Sequence, residues 1–301
     1  MERKREELRN YPIPSAEGEF TLLLEREDFS DVYPGMARFT VSVSLKGAVI
    51  ARFRTNTYEY APNVSLTAEA AAHRKADAWE QTIRTDPKKF ILSHQILPTR
   101  EAPHVPETDV VIFQGSPRAH GNCAILAGWV EDAAEKAKKT VQIIYPYDRD
   151  IHHCIGCYQC YNTGSCVFHD DMPGILTALR KAKLVVVCTP VYTNSVPGVL
   201  KTLFDRCQAY HAERSLSGGD HRHPRGLLLS VAGRKGPENF TCVTGVTGPF
   251  MRNIGIVPSG EILLDAMDTF HDVRKVPDAE ERVKTAVRQL LSQAPPHEGP
   301  G

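Results

Sequence analysis

Five apolar runs constrain the fold of this chain more than any other feature: DVVIFQG (109–115), TVQIIYP (140–146), KLVVVCTP (183–190), RGLLLSVAG (225–233) and GEILLDA (260–266). Several are continuous in Val, Ile and Leu rather than alternating, which is the pattern of strands covered on both faces. Helical patterns separate or follow them at residues 123–138, 171–183, 196–210, 238–253 and 278–293. Such an alternation predicts an α/β fold with a doubly wound, five-stranded parallel sheet.

The first hundred residues have a different texture. FTLLLE (20–25), ARFTVSVSL (37–45) and AVIARFRTN (48–56) alternate apolar and polar side chains as half-buried strands do, and Lys46-Gly47 supplies a hairpin turn between the last two. SLTAEAAAHRKADAWEQTIR (65–84) is alanine-rich and helical, with Ser65 or Thr67 as its N-cap. Residues 1–100 therefore read as a small α+β N-terminal unit whose role the residues leave unassigned. Three prolines in residues 98–108 mark the boundary, with 101–108 as linker, 109–294 as the second domain and 295–301 (PPHEGPG) as a disordered tail.

The 301 residues suffice for one large domain or two ordinary ones. Lys plus Arg and Asp plus Glu balance at 36 each, so no net field draws the chain to nucleic acid or to an anionic membrane. No basic stripe with interleaved aromatics is visible, which argues against a nucleic-acid partner. The opening MERKREELRN lacks the apolar core of a signal peptide, and no stretch holds the roughly 18 apolar residues of a membrane span. The expectation is a cytoplasmic protein with no membrane partner, in a compartment where thiols stay reduced.

Doubly wound sheets bind ligands beyond the carboxyl ends of their strands. The loop after the first parallel strand reads GSPRAHGNC (115–123). Ser116 and Asn122 bring hydrogen-bond donors, Arg118 a planar cationic fork and Gly121 a permissive backbone, and the helix that follows brings unpaired N–H groups, all suited to a phosphate monoester. Neither the nucleoside-triphosphate loop nor the GxGxxG dinucleotide fingerprint is present. On these residues alone a plain Ser/Gly turn stays open.

Four of the eight cysteines, Cys154, Cys157, Cys160 and Cys166, form a CxxCxxCxxxxxC run. The first three recur every third residue, so one turn of about 5.4 Å pitch can aim them at a common point, and Gly164 permits the return to Cys166. The spacing leaves a 4Fe-4S cluster, redox-active or free thiols, zinc, and plain packing open. Cys188, Cys207 and Cys242 read as small apolar residues of strands and helices. Asp170 and Asp171 read as caps of a helix beginning at Met172, and Asp205 with Arg206 as a structural ion pair. His152-His153 and the histidines of HAERSLSGGDHRH (211–223), read as a loop, lack the spacing of a metal site.

Taken in order, GSPRAHGNC, CIGCYQCYNTGSCVFHDDM, TPVYTNSVPGVLKTLFDR and SVAGRKGPENF resemble the NADPH-dependent FMN reductase family, and within it the iron-sulfur flavoproteins, from about residue 109 to about residue 268. The resemblance implies a flavodoxin-like domain carrying FMN. Its phosphate would be held by Ser116, Arg118, Asn122 and Cys123, the last standing where a threonine is usual. Pro190, Val191, Tyr192, Thr193 and Asn194 would lie along the ring, with the backbone N–H groups after Pro190 free to bond it, and Gly233 with the turn at 234–238 would close its other edge. No dedicated catalytic acid, base or nucleophile is implied, because NAD(P)H delivers hydride and the protein contributes alignment. The resemblance also implies Cys154, Cys157, Cys160 and Cys166 as ligands of a 4Fe-4S cluster, a homo-oligomer, and an electron acceptor that is ferredoxin-like if single electrons leave through the cluster. A second function class fits the same residues: a flavodoxin-like regulatory or interaction protein that senses redox state through thiols without a cluster.

Overall fold

A computed structural model describes residues 3–61, 65–94, 108–217 and 222–293. The expected tail and all of the expected linker but Thr108 lie outside the described residues. The chain divides into two compact units: unit 1 is Met1–Ala102 with Ile155–Val167 and Ser215–Gly218, and unit 2 is Pro103–Cys154, Phe168–Arg214 and Gly219–Gly301. Two segments of the expected second domain, residues 155–167 with three of the four clustered cysteines and residues 215–218, thus group with the N-terminal unit.

In unit 1, β1 (Arg5–Ser15), β2 (Gly18–Asp28), β3 (Ala37–Leu45) and β4 (Ala48–Asn56) form an antiparallel sheet in sequential order. The two-residue turn between β3 and β4 places Lys46 and Gly47 at φ 51° and 79°, the left-handed pair that matches strand twist. Alternation buries Phe20, Leu22, Leu24, Val41 and Val43 beneath α1 (Ala68–Thr85), whose Ala68, Ala72, Ala76, Trp79 and Ile83 form one stripe, and beneath Phe90 of α2 (Pro87–Ser93). Thr67 caps α1 by accepting the Ala70 N–H at 3.1 Å. β1 escapes a hydrophobic pattern search because it is an edge strand whose outward positions carry Arg and Glu.

Unit 2 runs β5 (Val110–Gln114), α3 (Asn122–Lys136) and β6 (Val141–Ile144). The chain then enters unit 1, where α4 (Cys160–Thr163) lies, and returns as α5 (Met172–Lys181), β7 (Leu184–Pro190), α6 (Gly198–Arg206), α7 (Gln208–Ser217), β8 (Arg225–Val231), α8 (Thr241–Asn253), β9 (Val257–Leu264), α9 (Met267–Phe270) and α10 (Ala279–Ser292). The five strands are parallel in the order β6-β5-β7-β8-β9. This is the flavodoxin-like order, whose switch point, and with it the ligand crevice, falls between β5 and β7. Val110, Ile112, Leu184, Val186, Leu227 and Leu229 pack one sheet face against α3 and α10. The helix expected over 196–210 breaks at Cys207 and resumes through Ser217, so His211 is helical rather than in a loop; Ala209, Tyr210 and Ala212 are its buried stripe, which the intervening charges obscure. No helix among the described residues is long and apolar enough to cross a membrane.

Arg206 does not pair with Asp205, which binds Lys201 at 2.6 Å. It pairs instead with Asp170 at 2.5 Å, the two side chains 1% and 0% exposed. Arg206 also donates to the His152 carbonyl at 2.7 Å and lies over Phe168, which stacks on His152. One guanidinium therefore holds both the departing strand end and the returning one around residues 155–167. Asp170 accepts the N–H groups of His152 and Met172, both at 3.1 Å, and so caps α5, whereas Asp171 accepts the Asp150 N–H at 3.0 Å. Burial pushes the Asp170 carboxyl up, but the Arg206 hydrogen bond, the two N–H groups and the Arg206 charge outweigh it and hold the pKa below its ordinary value.

Replacing Arg206 strands a buried carboxylate, so Arg206→Met is expected to lower stability by about 3–5 kcal/mol at neutral pH. Because the folded-state carboxyl pKa is depressed, the pair's contribution is present above the unfolded pKa and lost as pH falls through the folded one. The wild-type advantage narrows below about pH 4, as urea denaturation across pH will show.

Candidate functional site

Beyond the carboxyl ends of β5, β7 and β8 lies a cavity of about 340 Å³, within the size range of small-molecule sites. Ser116, Arg118, Asn122, Cys123, Pro190, Val191, Tyr192 and Gly233 line it, together with Met267, Asp268 and His271 from the segment after β9. Eight of the ten residues expected around a cofactor are thus brought together. Thr193 and Asn194 are not among the lining residues. Asp268 and His271 carry no periodic or motif signal; only their place after the carboxyl end of a parallel strand could have pointed to them.

The loop after β5 is folded by its own polar groups. Gln114, fully buried, accepts the Ser116 N–H on Oε1 at 2.5 Å, and its Nε2 has no hydrogen-bond partner among the described residues. Ser116 Oγ accepts the Arg118 N–H at 3.2 Å, and the Arg118 carbonyl accepts the Gly121 N–H at 3.1 Å. A Cβ at Gly121 would stand 2.9 Å from the Arg118 Cβ, so the fold-back requires glycine there. Gly121 is the N-cap of α3 and offers no side chain, which leaves the first helical N–H groups as donors at the cavity wall.

Asn122 lines the cavity and also holds a second segment of its wall. Its Oδ1 accepts the Val273 N–H at 3.1 Å and its Nδ2 donates to the His271 carbonyl at 3.5 Å, tying the start of α3 to the segment that presents Asp268 and His271. His271 itself sits at φ 60°, a left-handed conformation that non-glycine residues rarely adopt. Cys123 is 2% exposed, and burial pushes its thiol up to about 12 against a smaller downward pull from Arg118. It is a neutral packing residue at the cavity floor.

After Pro190 the chain makes a tight turn. Tyr192 and Ser195 exchange backbone hydrogen bonds at 2.8 and 3.0 Å, with Thr193 and Asn194 left-handed at φ 44° and 64°. The Val191 N–H donates to the Val231 carbonyl at 2.9 Å. The amides of Val191 and Tyr192, expected to be free, are therefore engaged, because the turn and the sheet edge satisfy them first. Tyr192 remains 40% exposed, so it is not core filler. Across the cavity, Gly233 accepts the Asp268 N–H at 2.9 Å, and a Cβ on Gly233 would fall 2.6 Å from the Asp268 carboxylate.

The sequence profile of the NADPH-dependent FMN reductases matches residues 108–241. An iron-sulfur flavoprotein of Archaeoglobus fulgidus is 30% identical over 146 residues, 48% of this chain and 63% of that protein. One from Methanocaldococcus jannaschii is 33% identical over 97 residues, 32% of this chain and 50% of that protein. The chain thus spans less than two thirds of the length of either relative. Among solved structures, an NAD(P)H:quinone oxidoreductase from Methanothermobacter marburgensis superposes with a TM-score of 0.48 at 16% identity, covering 62% of this chain and 99% of that one.

The clustered cysteines, to which the name of these relatives draws attention, lie mostly in unit 1, where Asn162 anchors their segment. It is 4% exposed; its Nδ2 donates to Glu59 at 2.7 Å, its Oδ1 accepts from Asn56 Nδ2 at 2.9 Å, and its carbonyl accepts from Arg54 at 2.9 Å. Asn56 Nδ2 also reaches the Tyr158 carbonyl at 3.1 Å. Gly164, at φ 78°, ends α4 with its N–H on the Cys160 carbonyl at 2.8 Å, the bend expected there. Cys154 is exposed, and Cys157, Cys160 and Cys166 are partly exposed. Among the described residues no group of three or more His, Cys, Asp or Glu side chains is arranged to hold a metal ion. His211 and His223 instead face the backbone carbonyls of Asn253 and Gly255. Cys188 and Cys207 are buried, as expected, while Cys242 is exposed on the first turn of α8.

Asn162→Ala removes side-chain bonds to the half-buried Glu59 and the buried Asn56 and leaves each with one partner fewer, at about 1–3 kcal/mol. Amide hydrogen exchange over residues 158–164 is expected to accelerate about tenfold to a hundredfold. Unchanged exchange there would show that the segment is held by something else.

Proposed function

We propose that the chain is an FMN-dependent oxidoreductase that takes hydride from NAD(P)H and passes electrons to an acceptor. The observation that carries this reading is one cavity at the flavodoxin-like ligand position, lined by an arginine, a serine and an uncapped helix start. Bound FMN would supply a ring that accepts hydride and releases electrons in pairs or singly. Arg118 neutralises the phosphate, and Ser116 with the first N–H groups of α3 donates to it. Asn122 acts at one remove, by fixing the segment 271–273. Asp268 repels a phosphate and suits the hydroxyls of the ribityl chain. Tyr192 offers an exposed aromatic wall, and the amides of Thr193 and Asn194, without partners among the described residues, are donors for the ring edge.

The finer reading of a 4Fe-4S cluster on Cys154, Cys157, Cys160 and Cys166 is supported by their spacing and by the relatives named iron-sulfur flavoprotein. The four thiols, Cys154 in unit 2 and the other three in unit 1, are of the residue type that such a cluster takes as ligands. Their exposure favours the second reading, redox sensing by accessible thiols. A homo-oligomer in the cytoplasm, with a ferredoxin-like acceptor where a cluster is present, completes the proposal.

Protein purified without oxygen is expected to show flavin absorbance and to oxidise NAD(P)H catalytically; a colourless chain that takes up no FMN would rule the function out. Arg118→Ala should weaken FMN binding about 10- to 100-fold, as loss of a charge-assisted contact predicts. Iron and acid-labile sulfide near about four per chain identify the cluster, and their absence with NAD(P)H oxidation intact leaves the thiols as the redox groups.

A further inference from the structure

Unit 1 contains a second cavity, of about 500 Å³, between the end of β4 and the cysteine-bearing segment. Arg52 and Arg54 line it on one side, and Gln159, Ser165 and Cys166 on the other. The donors there are uncommitted. Arg52 is exposed, and among the described residues neither it nor Arg54 forms an ion pair. Arg54 uses one N–H, from Nη1 to the Asn162 carbonyl, while its Nε is buried without a partner among the described residues. The Gln159 amide and the Ser165 hydroxyl likewise have no partner among the described residues.

The nearby carboxylates are already engaged. Glu27 binds Arg38 at 2.6 Å and Arg5 at 3.2 Å. Glu59, which also lines the cavity, accepts on Oε1 from Thr55, Asn56 and Asn162. Two guanidinium groups against one carboxylate leave the lining cationic. Burial, and then the like charges of Arg38 and Arg52, hold the Arg54 pKa below its ordinary value, a strain that an anion beside it would relieve. Planar forks of this kind recognise carboxylate and phosphate oxygens in pairs, and Phe53 and Val167 supply an apolar wall for the rest of a small molecule.

We propose that this cavity is a binding site for a small anion, a carboxylate or phosphate group held by Arg52 and Arg54, with its body against Phe53 and beside the Cys166 thiol. The site is separate from the flavin cavity and does not depend on the flavin reading. Through it the N-terminal unit presents a charged ligand to the cysteine segment.

The proposal is tested by calorimetric titration of the full chain, saturated with FMN, with inorganic phosphate and separately with succinate at constant ionic strength. Saturable binding of at least one is expected, weakened about tenfold by Arg52→Gln, an exposed position whose replacement leaves the fold intact, and by Arg54→Gln, which keeps a donor for the Asn162 carbonyl. Phosphate bound while succinate is not identifies a phosphate site; the reverse identifies a carboxylate site. Binding of neither anion overturns the proposal, as does equal binding by wild type and Arg52→Gln. Binding lost in Arg118→Ala but retained in both unit 1 variants would also overturn it, by placing the anion in the other cavity. A chain that takes up no FMN is titrated as it is, with the same three variants, so failure of the flavin reading leaves this outcome legible.

Discussion

The buried Arg206–Asp170 pair is the interaction on which the arrangement depends. A chain that leaves a parallel sheet between β6 and α5 and returns to it must fix its two ends, or the departing segment has no defined place. Hydrogen bonds alone do this poorly because each satisfies one group; a guanidinium satisfies several at once in a plane. Here it binds a carboxylate and a carbonyl while lying on an aromatic ring. Asp170 in turn caps α5, so the same pair sets where the next helix starts. The ordered excursion then meets polar groups in unit 1, and Asn162 finds each of its side-chain atoms a partner there.

Each unit holds a cavity, and the two differ in charge logic. The one in unit 2 sets Arg118 and His271 beside the carboxylate of Asp268, so its wall carries both donors and acceptors. The one in unit 1 has two guanidinium groups whose carboxylate neighbours are engaged elsewhere. An uncapped helix start in the first and an unpaired Nε in the second are incomplete in the same sense: each is a donor that the described acceptors do not satisfy.

The parallel sheet was legible in the sequence because strands buried on both faces must be continuous in Val, Ile and Leu, and 184–188 and 227–229 are. The place of the loop after β5 at a cavity wall was legible because loops beyond the carboxyl ends of parallel strands border the ligand crevice. What escaped was set by tertiary contact. β1 is an edge strand with charged outer positions, so it has little pattern to find. Arg206 chose Asp170 over its sequence neighbour Asp205 because only the former is buried beside it, a fact invisible to spacing. Asn122 lines the cavity as expected of a donor there, but its bonds to the backbone of 271–273 could not be read from spacing. The assignment of 155–167 to the N-terminal unit follows from Asn56, Arg54 and Glu59, more than a hundred residues away in sequence.

Burial sorts the thiols into two chemical classes. Cys123, Cys188 and Cys207 are enclosed by apolar neighbours, and burial raises their pKa values, to about 12 for Cys123 and Cys207. A thiolate, not a thiol, attacks disulfides and binds metals, so these three are withdrawn from redox chemistry by packing alone. The four cysteines of the CxxCxxCxxxxxC run and Cys242 retain contact with solvent. Cys242 is hydrogen-bonded by Asn194 from the turn beyond β7, at 3.8 Å, which places one accessible thiol in unit 2 beside the expected ring edge. Accessible and inaccessible sulfur are thus divided by packing. That division follows from the fold whether the clustered thiols act as ligands or as redox groups themselves.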